Sequence, residues 1–129
     1  MTGPTRLLTF AAALLGFSGV LLGALGAHGP VHAALVSAGT LANWETAVLY
    51  QLVHAVALLA LAGWRESPGA PNVPAAVAWL VGVALFSGSI YVLSLGGPRL
   101  LGPVTPLGGV ALLVGWLLVA LRAVRGPGA

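Results

Sequence analysis

Long apolar runs separated by short polar or Gly/Pro-rich links make up the pattern of this chain. Four of the runs are long enough to be membrane helices, at about residues 7–27, 44–64, 75–95 and 106–124. The first run has no charged residue, and at about 1.5 Å per residue it spans roughly 30 Å, the thickness of a bilayer core. The pattern therefore predicts four transmembrane helices.

Several residues typical of helix ends border these runs. Asn43 is a favourable N-cap residue for the second helix, and Thr105 followed by Pro106 predicts the first residues of the fourth. Trp44 and Trp64 bracket the second run, which is where interfacial anchors are expected. These residues predict that the second helix crosses the whole bilayer.

The longest link covers residues 28–43 and joins the first two runs. A short helix on the membrane surface is one possibility within residues 30–42, and an irregular loop is the other. Pro30 argues against a continuous extension of the first helix. The next link, residues 65–74, is polar and rich in Pro and Gly, so it predicts an exposed turn.

Composition excludes whole classes of protein. The chain has 129 residues, 59% apolar and only 5% charged, with a mean hydropathy of +1.05. A soluble domain is about 25% charged, and a chain this short has too little interior for so much apolar surface. It has no Cys, Lys or Asp, which excludes thiolate chemistry and a Schiff-base lysine. Its arginines do not cluster, so no nucleic-acid partner is expected.

The arginines predict the orientation in the membrane. Arg6, Arg65, Arg122 and Arg125 fall on one side of the four predicted helices, and Arg99 alone falls on the other. Basic residues favour the cytoplasmic side, so both termini are expected in the cytoplasm. The first run is long for the apolar core of a signal peptide, so we expect it to be retained as a helix. The predicted location is the inner (plasma) membrane, in a multi-pass arrangement.

Small residues predict how the helices pack. In the first helix they recur every three or four residues, which places them on one face, and two of them form a GxxxG pair that lets helix backbones approach closely. The glycines predicted to pack against neighbouring helices are Gly16, Gly19, Gly23, Gly26, Gly108 and Gly115.

Polar side chains within the apolar runs are the candidate functional residues, because polar groups are costly inside a membrane. Tyr50, Gln51 and His54 share one face of the second helix at helical spacing, and Ser87 and Tyr91 lie on one stripe of the third. Two interpretations remain open. The five residues form either a hydrogen-bonded cluster that fixes one helix against its neighbours or a binding site for a ligand or proton. The hydroxyls on the stripe of the third helix can bond across to His54 or Gln51, or back to carbonyls of their own helix.

The sequence contains no candidate catalytic pair, metal site or cofactor motif. His28 and His32 are spaced four apart but have no evident third ligand. We therefore expect a non-enzymatic protein in the lipid bilayer. The first hypothesis is a structural, accessory or assembly protein that packs against itself, as a homo-oligomer, or against other membrane proteins. The alternative is binding or transport of a small lipophilic molecule or ion at the intramembrane polar cluster.

Several motifs in register resemble a known family. They are residues 23–28 (GALGAH), residues 44–47 (WETA) with Tyr50, Gln51 and His54, residues 85–91 (LFSGSIY), residues 105–109 (TPLGG), and Gly115 with Trp116. In this order and spacing the chain resembles the small bacterial inner-membrane proteins typified by YgdD and YwdK, over nearly its whole length.

That resemblance implies four helices and a retained first helix, but no substrate, cofactor or catalytic residue. The positions that match the family pattern are His28, Tyr50, Gln51, His54, Ser87, Ser89, Tyr91, Thr105 and Pro106. The chain departs from the pattern at residues 29–32, so His32 is not expected to be a family site.

Overall fold

The computed structural model describes residues 3–64 and 72–125, and nearly all of these residues are helical. The helices are α1 (Gly3–Ala27), α2 (Gly29–Ala38), α3 (Leu41–Gly63), α4 (Val73–Ser94) and α5 (Val104–Arg125), with a short 3₁₀ turn at Arg99–Leu101. Four of them, α1, α3, α4 and α5, are long and apolar enough to cross a membrane. The described residues contain no strand, so the fold is all-α, as the sequence predicts.

The four long helices form an antiparallel row. Helix α1 packs against α3, α3 against α4, and α4 against α5, whereas α1 and α5 make at most slight contact with each other. Side chains of α1, α3, α4 and α5, including Leu8, Leu58, Trp79 and Leu112, form a buried apolar core near the end of the row where the chain begins and ends. The end of the row that holds the first residues of α1 and the last residues of α5 is called the terminal end, and the opposite end, next to α2, is called the α2 end.

The antiparallel order places both termini at the same end of the row. Arg6, Arg122 and Arg125 lie at this terminal end, and Arg99 lies at the α2 end. Arg65 and most of the predicted turn at residues 65–74 lie outside the described residues. The assignment of the terminal end to the cytoplasm stays a prediction.

Helix α2 is a separate short helix rather than an extension of α1. Gly29 adopts a φ of +74°, which only glycine adopts without strain, and Pro30 then occupies the first turn of the new helix. The ring Nδ1 of His32 donates to the carbonyl of Gly26, 2.8 Å away, and so pairs a carbonyl at the end of α1. Gly39, at φ +70°, ends α2.

Two predicted helix starts were wrong by a few residues. Asn43 lies inside the first turn of α3, and Thr40 occupies the N-cap position instead. The Thr40 hydroxyl donates to the carbonyl of Ser94 at the end of α4, 2.8 Å away. Helix α5 begins at Val104, so Thr105 is already helical. In both cases the link between helices is shorter than the sequence pattern suggested.

Glycines of α1 allow close contact between α1 and α3. A methyl group built on Gly19 would lie 2.7 Å from Leu52, and one on Gly26 would lie 2.5 Å from Trp44. On Gly23 the corresponding distance to α3 is 3.3 Å. Three of the four glycines predicted on this face therefore allow α3 to approach closer than an alanine would.

Glycines also allow α4 and α5 to approach closely, whereas Gly16 on α1 does not contribute to a close approach. A methyl on Gly108 would overlap the backbone of Phe86, and one on Gly115 would overlap the indole of Trp79. A methyl on Gly16 would meet nothing within 4 Å. The prediction that Gly16 packs closely against a neighbouring helix was therefore wrong.

We expect Gly108→Ala to destabilise the protein by about 1–3 kcal/mol, because the added methyl forces α5 away from α4. The matched change Gly16→Ala adds the same methyl in open space and should leave stability within about 0.5 kcal/mol. Unfolding titrations in mixed micelles measure both variants. Equal effects of the two substitutions would contradict the close approach at Gly108.

Candidate functional site

The side-chain amide of Gln51 joins three helices. Its Oε1 accepts a hydrogen bond from the hydroxyl of Tyr91 on α4, 2.7 Å away. Its Nε2 donates to the hydroxyl of Ser18 and to the carbonyl of Leu15 on α1, at 2.8 and 3.0 Å. Gln51 is only 4% exposed. Both of its donor hydrogens are used, so α1, α3 and α4 are tied together at one level of the row.

Two helical turns toward the α2 end, the indole of Trp44 adds to this connection. Trp44 is 3% exposed, and its Nε1 donates to the carbonyl of Leu22 on α1, 2.8 Å away. Its ring packs against that of Tyr91, with centroids 4.8 Å apart. The prediction that Trp44 is an interfacial anchor was wrong, because the indole turns inward, whereas Trp64 at the other end of α3 is exposed.

Serine side chains join helices through backbone carbonyls. The Ser87 hydroxyl donates to the carbonyl of Ala47 on α3, 2.8 Å away. Of the hydroxyls on this stripe, that of Tyr91 makes the predicted bond to Gln51, whereas Ser87 lies nearer the α2 end and bonds to the backbone of α3 instead. Ser87 is buried, and its single hydroxyl hydrogen is used in this bond, which holds α4 against α3.

A second pair of hydroxyls joins α4 to α5. Ser89 Oγ lies 2.6 Å from the hydroxyl of Thr105 and 3.0 Å from the carbonyl of Phe86. A carbonyl only accepts, so Ser89 donates to Phe86 and Thr105 donates to Ser89. The residue predicted to cap α5 therefore bonds to α4.

His54 belongs to a different group of contacts, between α3 and α5. Its Nδ1 lies 2.6 Å from the carbonyl of Tyr50, so it must donate there. Its Nε2 then accepts from Trp116 Nε1 on α5, 3.0 Å away. The rings of Trp79 and Trp116 each meet the imidazole edge to face at 5.9 Å. Both ring nitrogens of His54 are therefore engaged, in one tautomer.

The five residues predicted as one site are divided among separate contacts. Gln51 and Tyr91 bond to each other. His54 bonds to the backbone of Tyr50 and to Trp116, and Ser87 bonds to Ala47. Tyr50 is 41% exposed and packs its ring on that of Phe86. The sequence placed these residues on shared stripes, but neighbouring positions on one helix face different partners when that helix packs between two others.

Two partners in these bonds were not predicted from the sequence. Ser18 lies in the glycine-rich tract of α1 and accepts from Gln51, and Trp116 on α5 donates to His54. The polar atoms of both residues were visible in the sequence. Nothing in a single helix pattern showed that they face α3.

A groove lies between α3 and α5, with α4 as its floor. It has a volume of about 440 Å³, which is within the range of small-molecule sites. Its walls are apolar side chains and indoles, and the residues lining it are Ala57, Ala60, Leu61, Gly63, Trp64, Trp79, Trp116 and Val119. None of the five predicted ligand-binding residues lines it, although two of its indoles contact His54.

The described residues bring together no group of three His, Cys, Asp or Glu side chains that would hold a metal ion. His32 instead pairs the carbonyl of Gly26.

The four apolar spans and the bonds between them define an all-α, multi-pass membrane protein. The chain belongs to the family described as protein of unknown function (DUF423), which matches residues 22–109. The family expected from the motifs is therefore confirmed.

Relatives named UPF0382 membrane protein or UPF0382 inner membrane protein include proteins from three different bacteria. One from Staphylococcus saprophyticus is 43% identical over 101 residues, covering 77% of this chain and 81% of its own. YwdK of Bacillus subtilis is 37% identical over 106 residues, covering 81% and 85%. The inner membrane protein YgdD of Escherichia coli is 38% identical over 122 residues, covering 94% and 92%. No solved structure matches the chain.

We expect Gln51→Leu to lower the free energy of unfolding by about 1–3 kcal/mol, because it leaves the hydroxyl of the half-buried Tyr91 without its acceptor. The control is Thr46→Val on the same helix, where the exposed hydroxyl bonds only to its own helix at Ala42. That change should cost less than about 0.5 kcal/mol. Unfolding titrations compare the two, and a fully stable Gln51→Leu protein would contradict the structural role of the amide.

Proposed function

We propose that this protein is a non-catalytic structural or accessory component of the inner membrane, which packs against a second copy of itself or against another membrane protein. The proposal rests on the hydrogen bonds that its polar side chains make within the fold. In the membrane-spanning helices, the amide of Gln51, the imidazole of His54 and the hydroxyl of Ser87 all bond to neighbouring helices or to the backbone. Their hydrogen-bonding groups stabilise the fold.

The hydroxyl and imidazole groups give no support to an enzymatic role. The hydroxyls of Ser18, Ser87 and Ser89 donate to backbone carbonyls, so none of them is paired with a base. Both nitrogens of His54 are engaged by a carbonyl and an indole. Within residues 3–64 and 72–125, these groups form no nucleophile–base pair of the kind that acyl transfer requires.

The outer helices favour a partner in the membrane. In α1 and α5 only 17% of the most apolar stretch is buried inside the chain, compared with 39% in α3 and 33% in α4. Because α1 and α5 hardly touch, the row of helices is not closed into a ring. A second protein packing on α1 or α5 would extend the row without opening any existing contact.

Ligand binding at the polar cluster has less support. A ligand at Gln51 or His54 would have to replace bonds that already satisfy those side chains, and the described groove lies beside other residues. The cost of such a replacement in a low-dielectric interior is the full loss of each existing bond.

A single-cysteine comparison tests the proposal, because the chain has no native cysteine. Leu14→Cys on α1 and Leu113→Cys on α5 report on the outer helices, and Leu49→Cys on α3 is the matched control. All three leucines are more than half exposed. Oxidation in native membranes should convert the α1 or the α5 variant into one discrete larger species, with the control remaining monomeric.

Two results would overturn this function. One is that all three cysteine variants stay monomeric in native membranes. The other is an equal, diffuse set of products from all three positions, which indicates random collision instead of a defined contact.

A further inference from the structure

The groove between α3 and α5 follows directly from the order of the helices. Helices α3 and α5 run parallel and both pack on α4, so a space remains between them above the buried indole of Trp79. On the α3 side the groove is lined in part by Ala60 and Gly63, which are too small to cover it. Both are exposed, so the groove opens sideways to the surrounding bilayer.

The lining is suited to a hydrocarbon chain. Aromatic rings present large, rigid apolar surfaces at little entropic cost, and the indoles of Trp64, Trp79 and Trp116 face the same space. The indole N–H of Trp116 is already donated to His54, so it leaves only apolar ring surface for a guest. A hydrocarbon chain matches these walls, whereas a charged or strongly polar molecule would lose hydration without compensation.

Among the residues that the structure describes around the groove, the polar side chains lie at its terminal end. A small adjoining cavity at the terminal end shares Leu61 and Trp64 with the groove and is completed by Asn72 and Arg122. Arg122 lies in the last turn of α5, near the level where an apolar span meets the headgroups. An arginine at this level favours phosphate oxygens, which its guanidinium binds in a bidentate manner.

We propose that this groove is a binding site for an anionic phospholipid, whose acyl chain lies between α3 and α5 and whose phosphate contacts Arg122. Charge complementarity supports this occupant. By sequence, the terminal side of the membrane holds Arg6, Arg65, Arg122 and Arg125 against Glu66 alone. This lipid site requires no protein partner, so the experiment below tests it separately from the proposed accessory role.

Native mass spectrometry tests the site with two named lipids. The purified protein is equilibrated with equal amounts of dioleoyl-phosphatidylglycerol and dioleoyl-phosphatidylcholine, which differ in the headgroup alone. We expect one retained lipid, with the glycerol lipid favoured about fivefold, the factor that one basic side chain contributes near an anionic headgroup. Arg122→Gln should abolish the preference, and the control Arg125→Gln, one turn nearer the chain end, should keep it.

A second pair of variants tests the acyl part of the site. A methyl built on Gly63 or on Gly16 meets nothing within 4 Å, so a side chain can start at either position without a clash at its Cβ. Gly63→Leu places its side chain at the groove and should reduce retention of both lipids severalfold. Gly16→Leu is the control on α1 and should retain lipid as the unmodified protein does.

Equal retention of the two lipids by the unmodified protein would overturn the proposal. So would a preference that survives Arg122→Gln, or that falls equally in Arg125→Gln, because the charge at the groove would then not select the headgroup. Unchanged retention in Gly63→Leu would exclude this groove as the place of the acyl chain. Unfolding titrations confirm that each variant is folded before its lipid content is compared.

Discussion

The buried amide of Gln51 is the constraint on which the arrangement of three helices depends. Inside a bilayer an amide has no water to bond with, so its groups must be satisfied by protein. Here they are satisfied by α1 through Ser18 and Leu15 and by α4 through Tyr91. Because one side chain bonds in both directions, a rotation of α3 toward either neighbour would break a bond with the other. The amide therefore fixes the rotation of α3.

Close packing makes these bonds geometrically possible. Lipid tails are as apolar as leucine side chains, so helices in a membrane gain little from burial and depend on close contact and hydrogen bonds. Gly19 lets Leu52 approach α1 at the level of Gln51, and Gly26 does the same for Trp44. On the other side of the molecule, Gly108 and Gly115 bring α5 against α4. The small residues set the distances, and the polar side chains set the rotation.

The sequence predicted the helices well and their partners poorly, for a physical reason. Apolar runs and helical spacing are properties of one segment, so four spans and most packing glycines were predictable. The partner of a polar side chain depends on the rotation of two helices at once. Trp44 illustrates this, because its position at the end of an apolar run suggested an anchor, whereas the fold turns it toward Leu22. The division of the polar stripe between Gln51 and His54 has the same origin.

Gln51 and Tyr91 stabilise the fold by bonding to each other across α3 and α4. A double-mutant cycle of Gln51→Leu and Tyr91→Phe, measured as unfolding free energies in bicelles, tests this stabilisation. A coupling energy of about 0.6 kcal/mol is the average for such bonds in a membrane protein, and the largest reach about 1.7 kcal/mol. We predict a value in that range. Additive effects of the two substitutions, with no coupling energy, would show that this bond does not stabilise the fold.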